Sequence, residues 1–88
     1  MDVAALSALM ETDRAAAGSA LDAALQSKHG QGNERAMLAL HGLAASYWRD
    51  DPQQVAFHRT HAYVYALELG DWPEVERLYA LLSADGRI

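Results

Sequence analysis

The residues best suited to chemistry in this sequence are histidines. His58 and His61 lie three positions apart in "HRTH", and on a helix this spacing places two imidazoles on neighbouring positions, as in helices that bind metal ions. Glu68 follows one heptad beyond His61, and His41 lies on what we expect to be the facing helix. One hypothesis is therefore a helical bundle that binds a metal ion through His58, His61 and a carboxylate. The stronger signature of such sites, Glu-x-x-His on each of two helices, is absent. We therefore expect solvated or hydrogen-bonded histidines and predict no metal ligand.

Residues for nucleophilic or phosphate chemistry lack the surroundings that this chemistry needs. The serines lie in Ala-rich helical or loop contexts without a Gly-x-Ser-x-Gly elbow: Ser7, Ser19, Ser27, Ser46 and Ser83. The Gly-rich "HGQGN" follows no strand and is not followed by Lys-Ser or Lys-Thr, so it is typical of a connector rather than a phosphate loop. The chain has no cysteine, which excludes thiolate nucleophiles, disulfides and Cys-based zinc sites. We predict that the protein is not an enzyme, with no catalytic residue and no cofactor.

Two short stretches predict tight corners between helices. In "YALELGDWPEVERLYALL" Gly70 can adopt the left-handed conformation that closes a helix, and Asp71 can accept from free N–H groups of the next helix. Pro73 falls in the first turn, where its missing N–H is tolerated, and Glu74 completes a capping box. In "RDDPQQ" the residues Asp51, Pro52 and Gln54 follow the same rules.

The helical periodicity between these corners predicts an all-α fold. A first helix is expected over about 2–28, with a break possible at Thr12-Asp13, before a loop in which Gly30 ends the helix and Asn33 caps the next. Further helices are expected over about 34–49, 52–69 and 72–83. The connections are short enough to require antiparallel neighbours. The sequence thus predicts one domain, residues 1–88, of four antiparallel helices in consecutive hairpins, in a bundle or repeat-like arrangement.

Composition narrows the classes of partner. The chain has 88 residues, of which 51% are hydrophobic, and a formal net charge of -5. Only seven Lys and Arg are present, and they are scattered, which argues against binding to nucleic acid or to an anionic membrane. No apolar run approaches the roughly 20 residues of a membrane span, and the start "MDVAALSALMETDR" does not have the pattern of a secretory signal. We expect a cytoplasmic protein.

The last hairpin, about residues 55–83, resembles a tetratricopeptide repeat (TPR), the helix–turn–helix unit of interaction scaffolds. Gly70-Asp71-Trp72 stands where that family often has Gly-Asp-aromatic, and Tyr79 stands where the second helix usually has an aromatic residue. The sequence departs from the family at Tyr63, Ala66 and Val75. The first two helices are a candidate second, degenerate unit. The resemblance implies a protein-binding surface on stacked hairpins and no catalysis.

The helix over 52–69 has more apolar stripes than the expected neighbours can cover. One stripe includes Tyr63 and Leu67, with Arg59 beside it, and this mixture is typical of an interface. We therefore predict a small non-catalytic interaction module, adaptor-like or chaperone-like, that binds another protein or a helical peptide and forms a homodimer. Arg59, Tyr63 and Leu67 are the predicted partner-binding residues. The alternative is that the first helix buries this stripe.

Overall fold

The computed structural model describes residues 3–27 and 32–88 of the chain, and in these ranges the structure is all-helical, with no strand. The elements in chain order are α1 (Val3–Thr12), α2 (Arg14–Ser27), α3 (Glu34–Tyr47), α4 (Pro52–Leu69) and α5 (Trp72–Ala84). None of the helices in these ranges is long and apolar enough to cross a bilayer. The all-α prediction is therefore confirmed.

The predicted first helix is two helices, so the described chain has five helices rather than four. The break falls at Asp13, whose carboxylate accepts from the N–H of Ala16 at 3.1 Å. The hydroxyl of Thr12 donates to the carbonyl oxygen of Ala8 at 3.3 Å. Both side chains bond to nearby backbone, which is why Thr and Asp favour helix ends over helix interiors. The arrangement of four helices in consecutive hairpins is corrected accordingly.

The two predicted corners have the expected geometry. Gly70 has φ 67° and ψ 27°, the left-handed conformation, and ends α4. The Asp71 carboxylate accepts from the N–H of Glu74 at 3.4 Å, and the Asp51 carboxylate accepts from the N–H groups of Gln53 and Gln54 at 3.1 and 3.3 Å. These bonds satisfy N–H groups that have no partner within their own helix.

The returning half of each predicted capping box is not formed. The N–H of Asp71 donates to the carbonyl oxygen of Ala66 at 3.0 Å, which is the closing bond of the left-handed turn. The Glu74 carboxylate instead accepts from Arg77 at 2.6 and 2.9 Å. At the corner between α3 and α4, the N–H of Asp51 donates to the carbonyl oxygen of Trp48 at 2.8 Å and not to the side chain of Gln54.

The third connection differs from its prediction in detail. Asn33 occupies the N-cap position of α3, but its side chain makes no capping bond. The Glu34 carboxylate accepts from the N–H of Gly32 at 3.1 Å, but this N–H precedes the helix, so the bond does not replace the cap. Gly30, predicted to end the preceding helix, lies outside the described residues.

The core consists of two clusters that share α3. The first joins α1, α2 and α3 through the buried residues Leu6, Ala17, Leu21, Met37, Leu40 and Tyr47. The second joins α3, α4 and α5 through Leu38, Ala62, Ala66, Val75 and Leu78. Neighbouring residues of α3 such as Met37 and Leu38 point to different clusters, because a residue advances 100° around a helix. α3 is therefore the central helix, and α4 packs against α3 and α5.

Candidate functional site

The side of α4 that faces away from α3 and α5 carries large apolar side chains in contact with solvent. Phe57, Val64 and Leu67 are 54%, 45% and 42% exposed. Their spacing places them along one side of the helix, together with the exposed residues Thr60, His61 and Glu68. We call this set of six residues the outer face of α4.

None of the described helices covers this outer face. α1 packs against α2 and α3, and α4 packs against α3 and α5. The alternative that the first helix buries the apolar excess of α4 is therefore not what the described part of the chain shows. Single exposed apolar residues are ordinary on protein surfaces, but several on one side of a helix are typical of a surface that binds another molecule.

The three predicted partner-binding residues lie in different surroundings. Leu67 belongs to the outer face. Tyr63 is half-buried against the second cluster, with its ring centroid 6.4 Å from that of Tyr79 on α5. Arg59 is half-buried and lines a groove between α3, α4 and α5. The structure therefore places Tyr63 between the outer face and α5, and Arg59 at a separate feature.

That groove has a volume of about 500 Å³. Its floor is made of small residues, Gly42 and Ala45 from α3 and Ala62 from α4, and its apolar wall includes Val55, Leu78 and Leu81. Arg49, Arg59 and Arg77 line the same groove from three segments of the chain. We call it the arginine groove.

Arg59 was predicted to bind a partner beside Tyr63 and Leu67, and the groove with Arg49 and Arg77 was not predicted from the sequence. The available signal was the row Gly42, Ala45 and Ser46 on one side of the central helix. Small side chains at such positions leave space between packed helices. The three arginines lie close together because of how α3, α4 and α5 are arranged, and the sequence pattern does not predict that arrangement.

The histidines lie at the contact between α3 and α4. His41 and His58 are 4% and 6% exposed, and their Nδ1 atoms are 3.0 Å apart. One ring must donate and the other accept, so at least one of the two imidazoles is neutral. Burial lowers the pKa of His58, the nearby His61 lowers it further, and Asp22 on α2 partly opposes them. As expected from the sequence, His58 is hydrogen-bonded and His61 is exposed to solvent.

Aromatic rings surround this pair. The His61 ring stacks on that of His41 with centroids 5.0 Å apart, and Phe57 packs against His61 with centroids 4.5 Å apart. The Tyr65 ring also stacks on that of His41, with centroids 5.9 Å apart. The cluster therefore joins the buried contact of α3 and α4 to the outer face of α4.

The proposed metal ligands do not form a complete set. Among residues 3–27 and 32–88, no three His, Cys, Asp or Glu side chains are placed to hold one metal ion. One cleft of about 450 Å³ is lined by His41, His58, His61 and Asp22, but His58 is bonded to His41 and His61 is exposed. Fewer than three such side chains around one point fall short of the four ligands of a structural zinc site.

No protein-family model, curated protein or solved structure matches this chain. Any function must therefore be argued from the geometry of the helices and from the chemistry of their surfaces.

Proposed function

We propose that this protein is a small non-catalytic interaction module that forms a homodimer through the outer face of α4. The observation that supports the proposal is the row Phe57, Val64 and Leu67, which the described helices leave uncovered. Each of these side chains is about half exposed, so burying it in an interface would contribute about 1 kcal/mol. The resemblance of the last hairpin to tetratricopeptide repeats favours the same class of function.

A two-fold contact suits the composition of this face. In an antiparallel pair of α4 helices, an axis near the middle of the helix places Phe57 of one copy beside Leu67 of the other, so one row serves both subunits. Glu68 is the only carboxylate on the face, so few charges would be removed from water. Tyr63 and Tyr79 would extend the contact at its edge toward α5.

Sedimentation equilibrium over the micromolar range tests the dimer. We expect the parent protein to be dimeric and Val64→Glu to be monomeric but still helical, because the carboxylate would be desolvated in the interface. Ala23→Glu, at an exposed position on α2, is the matched control and should remain dimeric. A parent that is monomeric at several hundred micromolar, or a Val64→Glu variant that stays dimeric, contradicts the proposed interface.

The alternative proposal is a metal-binding helical protein that uses His58, His61 and a carboxylate. The observation in its favour is that His58, His61 and Asp22 line the same cleft of about 450 Å³. It is tested by elemental analysis of protein purified without added metal. A rise in melting temperature with zinc that is lost in the His58→Ala/His61→Ala double variant would support the alternative. Equal melting temperatures with zinc and with chelator would reject it.

A further inference from the structure

The arginine groove gathers a large part of the positive charge of an acidic protein. The sequence has seven Lys and Arg against twelve Asp and Glu, yet Arg49, Arg59 and Arg77 line one groove. They come from the turn after α3, from α4 and from α5. The fold therefore brings the three arginines together, and no local run of basic residues is involved. Like charges brought together repel each other, and a bound anion would relieve that repulsion.

Two of the three guanidinium groups are available to a ligand. Arg77 is held by the Glu74 carboxylate at 2.6 Å. Arg49 and Arg59 form no ion pair with any residue that the structure describes. The one carboxylate that lines the groove, Asp85, is paired with Arg87 at 3.0 Å. The groove therefore has two guanidinium groups whose charge the described protein does not balance.

Most of the remaining lining residues are apolar, and those of the floor are small. Val55, Leu78 and Leu81 form the wall, and an added Cβ at Gly42 would meet no atom within 4 Å. The floor is therefore open enough to receive a side chain. A free phosphate would use the arginines but leave the wall unfilled, and a nucleic-acid base would find no aromatic ring among the lining residues. A carboxylate-bearing chain with aliphatic side chains fits both parts, because guanidinium groups bind carboxylates in bidentate geometry.

We propose that the arginine groove binds an acidic peptide segment of a partner protein. Carboxylates of the segment pair with Arg49 and Arg59, and a leucine or valine side chain lies against Val55 and Leu81 over the floor at Gly42. The inference rests on the proposed role in protein binding, but it uses a different surface from the outer face of α4. The pairing is electrostatic and partly exposed, so the affinity falls as salt is added.

Fluorescence anisotropy with a labelled peptide tests the site. The probe is a short peptide in which glutamates flank two leucines, and its control has glutamines in place of the glutamates. We expect the parent to bind the glutamate probe, and Arg59→Gln or Arg49→Gln to bind it about tenfold or more weakly, since one charge-assisted contact is lost. The glutamine peptide should bind the parent as weakly as the glutamate probe binds the two arginine variants. Inorganic phosphate at the concentration of the probe should not displace it.

Two further variants separate the groove from general effects of charge or folding. Arg35→Gln removes an exposed arginine outside the groove, one paired with Asp71, and should leave the affinity unchanged. Gly42→Leu should fill the floor and abolish binding, while circular dichroism confirms that the protein is folded. Failure of the parent to bind the probe at high micromolar concentration overturns the inference, as does equal affinity in the Arg49, Arg59 and Arg35 variants. Sedimentation of Arg59→Gln should still show a dimer, so the two proposals can fail separately.

Discussion

A glycine at the crossing of α2 and α3 allows a sharp test of how closely these helices pack. A Cβ built at Gly18 would lie 2.5 Å from the hydroxyl oxygen of Tyr47 and 3.0 Å from its Cζ. Tyr47 is buried, and its hydroxyl donates to the carbonyl oxygen of Arg14 at 2.9 Å. The guanidinium of Arg14 lies over the same ring, 4.3 Å from its centroid, and donates to the carbonyl oxygen of Tyr47. The ring therefore has little freedom to move away.

Gly18→Ala should lower the free energy of unfolding by about 1–3 kcal/mol. Alanine in a helix interior is favoured over glycine by about 1 kcal/mol. Against this, an added methyl group in a filled space costs about 1–3 kcal/mol, and loss of the Tyr47 hydrogen bond costs about 1 kcal/mol. The steric and hydrogen-bond losses together exceed the gain in helix propensity.

Gly42→Ala is the matched control, because it is also a helical glycine. A Cβ at Gly42 would meet no atom within 4 Å, so only the propensity gain applies and the variant should be more stable by about 0.5–1 kcal/mol. Both variants are compared with the parent by urea denaturation followed by circular dichroism, at one protein concentration because dimerisation would shift the midpoint. Gly18→Ala/Tyr47→Phe should recover part of the loss. A Gly18→Ala variant as stable as Gly42→Ala would refute the close contact.

Three other outcomes follow from the helix ends and the buried histidines, each measured by the same denaturation. Asp51→Ala should cost about 1 kcal/mol, because it removes the N-cap of α4, and an unchanged midpoint would show that the cap contributes nothing. Gly70→Val should cost about 2 kcal/mol, because φ is 67° and L-residues are strained there; a neutral result would mean that the turn rearranges. Since the pKa of His58 is lowered on folding, the unfolded chain binds more protons below a pH of about 6.5. The contribution of His58 to stability should therefore fall as the pH drops below that value and level off below its pKa in the folded state. His58→Gln should show a smaller fall, and an identical pH profile would exclude His58 as the cause.

The corners could be predicted from sequence because their interactions are local. Asp51 and Asp71 bond to N–H groups two or three residues away, and the left-handed turn at Gly70 depends on that residue's own backbone. The returning bonds from Gln54 and Glu74 failed because each had a competitor. For Gln54, the N–H of Asp51 donates to the carbonyl oxygen of Trp48 instead. For Glu74, the N–H of Asp71 donates to the carbonyl oxygen of Ala66, and the carboxylate accepts from Arg77.

The contacts between helices could not be predicted in the same way. His41 and His58 are separated by 17 positions, and their approach depends on the rotation of α3 against α4. Two helices that each carry several apolar stripes can pack in more than one rotation, and the patterns alone do not choose between them. The arginine groove has the same origin, since it is formed by residues from three segments. What could be predicted was that the helix over 52–69 has an apolar excess, and Leu67 is one exposed member of it.

The sharing of α3 between two core clusters divides the molecule into two cooperative units. α1 and α2 can detach from α3 without uncovering Ala62, Ala66 or Leu78, and α5 can detach without uncovering Leu6 or Leu21. Tyr65, which packs against both clusters, is the main side chain that links the two events. We therefore expect the amide hydrogens of α1 and α2 to exchange with solvent as one group and those of α5 as another, each through its own partial opening. The amides of α3 should be protected longest, because full exposure of this helix requires the loss of α4 as well as of α1 and α2.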